Sequence, residues 1–290
     1  MTSPMPLMTP QPLPRGGVVI KTSAGLVQVG IPPETIKDTM CQPDGVPPVF
    51  VVTRELFDYD RGVSVAEVEF PIFYHYFIRR GRVVIVASPE QKIAICRLIQ
   101  EAVFGPVDFD LTRELPAPPE QCPWLPDLKA EMIRFLKPPG GSEGEALTLE
   151  GIVEFVLFDE EGVATLGDVT IRREERDIVT VEDRGLGDVV TFEAVSRVTE
   201  RRRRRREAPS QVLFSAPSFG VTVLGAGHGF DPDGKTTGFV LWIGGRGILV
   251  DPPVDTTEWL LEHGISPRRV EAILLTHCHA DHDAGCLQRA

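Results

Sequence analysis

Covalent bracing is nearly absent from this chain. Five cysteines stand among 290 residues (Cys41, Cys96, Cys122, Cys278 and Cys286), an odd number without regular spacing, which argues against a disulfide framework and for a reducing compartment. Also missing is any apolar run long enough to span a bilayer. The first fifteen residues are rich in Pro and Met but have no apolar centre of the secretory type, so a cytoplasmic location is expected. Excess positive charge is lacking as well: 30 Lys and Arg against 42 Asp and Glu leave a net charge of -12. That balance opposes non-specific attraction to nucleic acid or to an anionic membrane, so neither is expected as a partner. What is present, 42% hydrophobic and 25% charged residues, suits a globular chain of about two domains.

Read in order, residues 1–15 are expected to be a disordered tail, since Pro recurs and no apolar period appears. An α+β domain is expected over 16–114. Val18–Thr22 and Leu26–Gly30 read as a hairpin, Pro32–Met40 as a short helix, Phe50–Thr53 as a strand and Arg82–Ala87 as another. Ser88-Pro89-Glu90-Gln91 carries an N-cap and a first-turn proline, and Ile93, Ile95, Leu98, Ile99 and Val103 give the helix that follows an apolar side. Phe70, Phe73, Tyr74, Tyr76 and Phe77 crowd together around a lone His75. Core packing is the expected role of this aromatic group, with the lining of a ligand pocket as its alternative. A Pro- and Gly-rich connector is expected over 115–146, with a helix at Leu128–Leu136, and a small β meander over 147–200. The uninterrupted arginines Arg201–Arg206 repel one another and mark a solvated linker over 201–210.

The most informative stretch is Leu274-Leu275-Thr276-His277-Cys278-His279-Ala280-Asp281-His282. Three imidazoles and a carboxylate fall within six residues, directly after an apolar strand. One histidine there would be an ordinary cap or core residue, but this density suggests a metal site. Imidazole nitrogen and carboxylate oxygen suit zinc first, with iron or manganese as further choices. In an extended strand end His277 and His279 face one side, and Cys278, facing the other, is expected to be a packed thiol and not a ligand.

His277-Cys278-His279-Ala280-Asp281-His282 resembles the HxHxDH motif of the metallo-β-lactamase superfamily. The Gly-rich turn Leu224-Gly225-Ala226-Gly227-His228-Gly229, the Thr236-Thr237-Gly238 strand entry and the strand-end Asp251 resemble the opening strands of the same fold. The resemblance implies that 211–290 form the first half of an αββα sandwich, a truncated domain whose remaining ligands would lie further along a longer chain. It implies one or two ions, the first held by His277 and His279 and the second by Asp281 and His282. Asp281 would also orient the attacking water, and Asp251 would steady a ligand histidine from behind. His228 is the candidate for a substrate loop, against a role as a plain surface residue. The Gly-rich opening is more similar to the phosphodiesterase side of the superfamily, ribonuclease Z and cyclic-nucleotide phosphodiesterase relatives, than to an exported β-lactamase. The segments Pro32-Pro33-Glu34-Thr35-Ile36-Lys37-Asp38 and Ala66-Glu67-Val68-Glu69-Phe70-Pro71 resemble the front part of large bacterial multidomain hydrolases. A metal-dependent phosphodiester hydrolase, or the N-terminal part of one, is therefore expected, acting on a small-molecule substrate such as a cyclic nucleotide. A thioester or ester hydrolase of glyoxalase type and a non-catalytic regulatory protein with a vestigial metal site are the alternatives. A half sandwich would leave apolar surface open, so self-association is also expected.

Overall fold

Val83-Val84-Ile85-Val86-Ala87 has no polar position, and a strand of that kind needs cover on both of its faces. The computed structural model, which describes residues 8–53, 55–58, 63–105, 113, 115, 117–122, 147–174, 178–194 and 214–286, provides that cover. The strands β1 (Gln11–Pro12), β2 (Val18–Thr22), β3 (Gly25–Val29) and β4 (Val49–Val51) are followed by a separate two-stranded ribbon, β5 (Phe57–Asp58) with β6 (Val63–Ser64). β7 (Val83–Ala87) and β8 (Val153–Leu157) then rejoin the first four in one six-stranded sheet of order β1-β2-β3-β4-β7-β8. β1, β2 and β3 pair antiparallel, whereas β3, β4, β7 and β8 run parallel. Helices lie in each of the connections between the parallel strands. They include α1 (Thr35–Met40), α2 (Glu69–Phe73), continued by a π-helical turn Tyr74–Ile78, and α3 (Pro89–Ile99), continued by a π-helical turn Gln100–Phe104. Mixed helix and sheet of this kind fits the α+β class.

On one face of the six-stranded sheet Phe50, Val83, Ile85 and Ala87 pack with Ile36, Phe70, Ile72, Tyr76, Ile95 and Ile99 from the helices. On the other face Ile20, Val27, Val29, Val49, Val51 and Val86 pack with Val169, Ile171, Val179 and Val181. Those last four belong to an antiparallel sheet of order β12-β11-β10-β9, made from β9 (Val163–Leu166), β10 (Val169–Arg173), β11 (Ile178–Asp183) and β12 (Asp188–Glu193). The meander expected over 147–200 is thus corrected at its start. Val153–Leu157, preceded by the short helix α4 (Leu149–Ile152), extends the first sheet beside β7. The tail is corrected too. Residues 8–15 are packed, with Met8 and Leu13 buried, β1 paired on the sheet edge where a proline is tolerated, and Arg15 joined to the Asp38 carboxylate. The expected helix at 128–136 and the arginine run at 201–206 lie outside the described residues.

The expected start of α3 is present as a reciprocal cap: Gln91 N–H donates to Ser88 Oγ at 3.2 Å, and Ser88 N–H donates to Gln91 Oε1 at 2.7 Å. Its apolar side is narrower than the sequence suggests, because Ile95 and Ile99 are buried while Ile93 is 66% exposed. His75 is buried and bonds the Pro47 carbonyl at 2.8 Å, and burial holds its pKa below the ordinary value.

The C-terminal sheet contains β13 (Phe219–Gly225), β14 (Gly238–Ile243), β15 (Arg246–Val250) and β16 (Val270–Leu274), in that order. The first three pair antiparallel. α5 (Thr256–Glu262) carries the chain over to β16, which lies parallel to β15. Leu224, Val240, Trp242 and Leu249 form a core with Leu260 and Ile265, and the Trp242 indole N–H donates to Thr222 Oγ1 at 2.8 Å. The opposite face leaves Phe219, Val221, Val223 and Ile243 exposed, the open apolar surface expected of a half sandwich. Among the described residues no helix is long and apolar enough to cross a membrane.

One buried carboxyl ties these parts together. Glu67 accepts N–H bonds from Phe70 (2.9 Å), in the first turn of α2, and from Glu34 (3.2 Å), just before α1. Burial raises its pKa from 4.5 to about 7, against the opposing effect of the two N–H bonds. The folded chain therefore retains a proton that the unfolded chain has released, so the stability this group contributes is complete below pH 4.5 and is lost as the pH rises to about 7. That interval corresponds to about 3 kcal/mol. Glu67→Gln removes the titration, and its stability relative to the parent chain is expected to improve by up to that amount between the two pH values, as measured by urea unfolding at each.

Candidate metal centre and its cavity

The motif follows β16, and its geometry is set from the neighbouring strand. Asp251, just past β15, takes a left-handed backbone conformation (φ 45°) that an aspartate tolerates better than a branched residue. Its carboxylate accepts from Thr276 N–H at 2.8 Å and from Thr276 Oγ–H at 2.6 Å. These bonds and the nearby His282 outweigh the effect of burial and hold Asp251 below the ordinary carboxylate range. The carboxylate can only accept, so the Thr276 hydroxyl proton is committed to it. The contact of Thr276 Oγ1 with His277 Nδ1 at 3.0 Å must then be donated by the imidazole, which leaves His277 Nε2 as an unprotonated lone pair. His282 Nδ1 lies 3.2 Å from Asp251 Oδ2, an ion-pair distance without hydrogen-bond alignment, and no other partner reaches that buried nitrogen. A proton there leaves His282 Nε2 free, 3.6 Å from Asp281 Oδ2.

Asp281 and His282 sit on the short helix α6 (Ala280–Asp283), which opens as the His279 carbonyl accepts from His282 N–H at 2.9 Å. The His277 ring centre is 4.7 Å from that of His279 and 4.0 Å from that of His282. The imidazole and carboxylate donors suit zinc chemically, and Thr276, held by Asp251, sets the His277 ring in the tautomer that ligation requires. His279 has other contacts. Its Nε2 lies 3.4 Å from the Ala102 carbonyl, which only accepts, and its ring packs edge-on against Phe73 with centres 5.7 Å apart. With His279 turned this way, no three His, Cys, Asp or Glu among the described residues are disposed to hold one ion. Cys278 is exposed, which corrects the expectation of a packed thiol: β16 has no covering layer on that side.

His279, Asp281 and His282 form one wall of a cavity of about 430 Å³. The N-terminal segment lines the same cavity, with Phe73 and Phe77 from α2 and its π-helical turn, and Ala102 and Val103 from the turn after α3. His228 and Phe230 of the Gly-rich loop close a third side. His228 is exposed at that edge, and its Nδ1 accepts from Phe230 N–H at 3.2 Å. The aromatic group expected to be core is therefore divided. Phe70 and Tyr76 are buried, whereas Phe77 is 45% exposed.

Glu69 was missed by sequence reasoning. It is 2% exposed, and its Oε2 accepts from Ala280 N–H at 3.2 Å. Its Oε1 has no hydrogen-bond partner and lies 3.9 Å from His279 Nδ1. Burial, then the neighbouring Glu67 charge, raises its pKa to about 8. Two glutamates in an otherwise apolar stretch, Ala66-Glu67-Val68-Glu69-Phe70, were the available signal.

Residues 231–287 match the metallo-beta-lactamase superfamily model, a span that contains the whole histidine motif and Asp251. That match lies in the C-terminal segment. The chain is also 28% identical over 407 aligned positions to the cGMP-dependent 3′,5′-cGMP phosphodiesterase A of Dictyostelium discoideum, covering 96% of this chain and 45% of the relative. It is 30% identical over 324 positions to the cAMP/cGMP-dependent 3′,5′-cAMP/cGMP phosphodiesterase B of the same organism, covering 91% of this chain and 28% of the relative. The chain thus spans less than half the length of these relatives, yet the likeness extends well upstream of the motif. A bacterial origin is not shown. No solved structure matches the chain.

The cavity depends on close approach at Gly229, where a methyl group would overlap the Phe70 ring. Gly229→Ala is expected to cost about 1–3 kcal/mol, as overpacking does. In a Phe70→Leu background the same change is expected to cost measurably less, because the two sites share one contact. Thermal unfolding of the four chains of this cycle checks the coupling.

Proposed function

We propose that this chain is part of a metal-dependent hydrolase of phosphodiesters, with a cyclic 3′,5′-nucleotide as the substrate class. The observation that carries the reading is the chain of bonds from Asp251 through Thr276 to His277, which directs the His277 Nε2 lone pair away from Thr276, with His282 beside the same carboxylate. His277 and His279 would hold a first ion, and Asp281 and His282 a second, zinc being the first choice for these donors. A bound ion of this kind supplies Lewis-acid polarisation and a water of lowered pKa. Asp281, half-buried beside His282, would accept a proton from the attacking water and orient it, while Asp251 keeps the His282 ring from turning. The printed activities of the two relatives favour a phosphodiester over a thioester.

A non-catalytic regulatory role is the second reading, and the position of His279 favours it, since its Nε2 faces the Ala102 carbonyl and its ring packs against Phe73. The two readings separate on metal. His277→Ala and His279→Ala in the full-length gene product are expected to reduce zinc retained after equilibrium dialysis to below about a tenth of the parent value, with cyclic-nucleotide hydrolysis falling in step. Loss of the outer-shell carboxylate in Asp251→Asn is expected to weaken zinc binding about 10-fold. Cys278→Ala, a change at an exposed thiol, is expected to leave both properties intact. Full zinc retention in both histidine variants, or zinc loss in the cysteine variant, would refute the ligand set.

A further inference from the structure

We infer that the N-terminal segment supplies the base-binding half of the active site: Phe77, backed by Phe73, forms an aromatic platform for the planar heterocycle of the nucleotide whose phosphodiester faces the histidine motif. This rests on the phosphodiesterase reading for the substrate, but the observations behind it are separate. The cavity has two chemically different parts in its lining, His279, Asp281 and His282 on the one hand and Phe73, Phe77 and Val103 on the other. Its volume of about 430 Å³ falls in the range of small-ligand sites, roughly 300–1,000 Å³.

The Phe77 ring has no structural duty that explains its position. It is 45% exposed, while its neighbours Phe70 and Tyr76 are buried in the core. Its contacts within the chain are edge-on, to Phe73 with ring centres 5.8 Å apart and to Tyr76 at 4.9 Å. Phe73 in turn packs edge-on against His279, so the platform and the motif touch directly. Both helices on this wall depart from α geometry where they meet the cavity, over Tyr74–Ile78 and Gln100–Phe104. Such π-helical turns shift side chains relative to a regular helix and are frequent at functional sites. An exposed Phe77 ring, with the half-buried Phe73 between it and the imidazoles, fits a ligand that is flat and apolar at one end and anionic at the other. Stacking on an aromatic face is tolerant of which base is present, because each has a π-face.

The test is equilibrium binding to the full chain, by calorimetry in the presence of chelator so that nothing turns over, and again with zinc added. Cyclic GMP and cyclic AMP are compared with ribose 3′,5′-cyclic phosphate, which has no base. The parent chain is expected to bind both nucleotides at least about tenfold more tightly than the base-free phosphate, and Phe77→Ala to lose roughly 5- to 100-fold for nucleotides only, the range of one base stack. Phe77→Trp is expected to retain nucleotide affinity. Circular dichroism and melting temperature should be unchanged in both variants, since the position is exposed. Equal nucleotide affinity in parent and Phe77→Ala, equal affinity of parent for the nucleotides and base-free phosphate, or no binding of nucleotide by the parent would each overturn the inference. Base-dependent binding without metal-dependent hydrolysis would instead refute the hydrolase reading and leave the platform standing.

Discussion

The contact of the Phe70 ring with the backbone of Gly229 is the constraint on which the rest of the site depends. Phe70 stands at the start of α2, in the core that covers one face of the six-stranded sheet, and its ring also meets Phe230 edge-on with centres 5.1 Å apart. Because Gly229 has no side chain, the Gly-rich loop can lie directly on that core. The loop and α6 then enclose a space against α2 and α3 instead of being held apart from them. Lys37, fully buried, reinforces the junction by donating to the Gly234 carbonyl at 2.9 Å and to Glu34 at 2.6 Å. A cation so placed has all its neighbours chosen by the fold, since an unpaired buried ammonium is very costly.

Two buried carboxyls govern the electrostatics beneath the cavity. Glu67 is fixed by N–H bonds from both flanking segments, whereas Glu69 has one oxygen satisfied by Ala280 N–H and the other directed at His279 without reaching it. Desolvation dominates both, which is why both are raised while Asp251, more generously bonded, is lowered. The histidine motif therefore has opposite settings on its two sides. On the Asp251 side an ionised carboxylate accepts both Thr276 bonds, and Thr276 in turn meets His277. On the Glu69 side a carboxyl that favours its neutral form faces a ring already turned toward a backbone carbonyl.

The open face of the C-terminal sheet has the same origin as the exposure of Cys278. β13 and β14 carry apolar residues on both sides, and only the side bearing Leu224, Val240 and Trp242 has α5 to cover it. Phe219, Val221 and Val223 are the residues that would gain most from a second layer.

Much of the local structure was legible from sequence alone. The Ser88-Pro89-Glu90-Gln91 cap, the Val18–Val29 hairpin and the strand before the motif each depend on neighbours a few residues away. The lone His75 stands inside the aromatic group for which core packing is expected, and its ring is buried there. What required tertiary structure were the contacts between residues far apart in the chain. Val153–Leu157 has the pattern of a meander strand, and only the vacant parallel edge of β7 placed it in the first sheet. Phe77 and Phe70 are indistinguishable in sequence, and which of them became core was decided by the direction in which the π-helical turn leaves α2. Glu69 lies 211 residues from the Ala280 amide it bonds. No local period or spacing encodes that pairing. It follows from the absence of a side chain at Gly229, which lets one core rest on another.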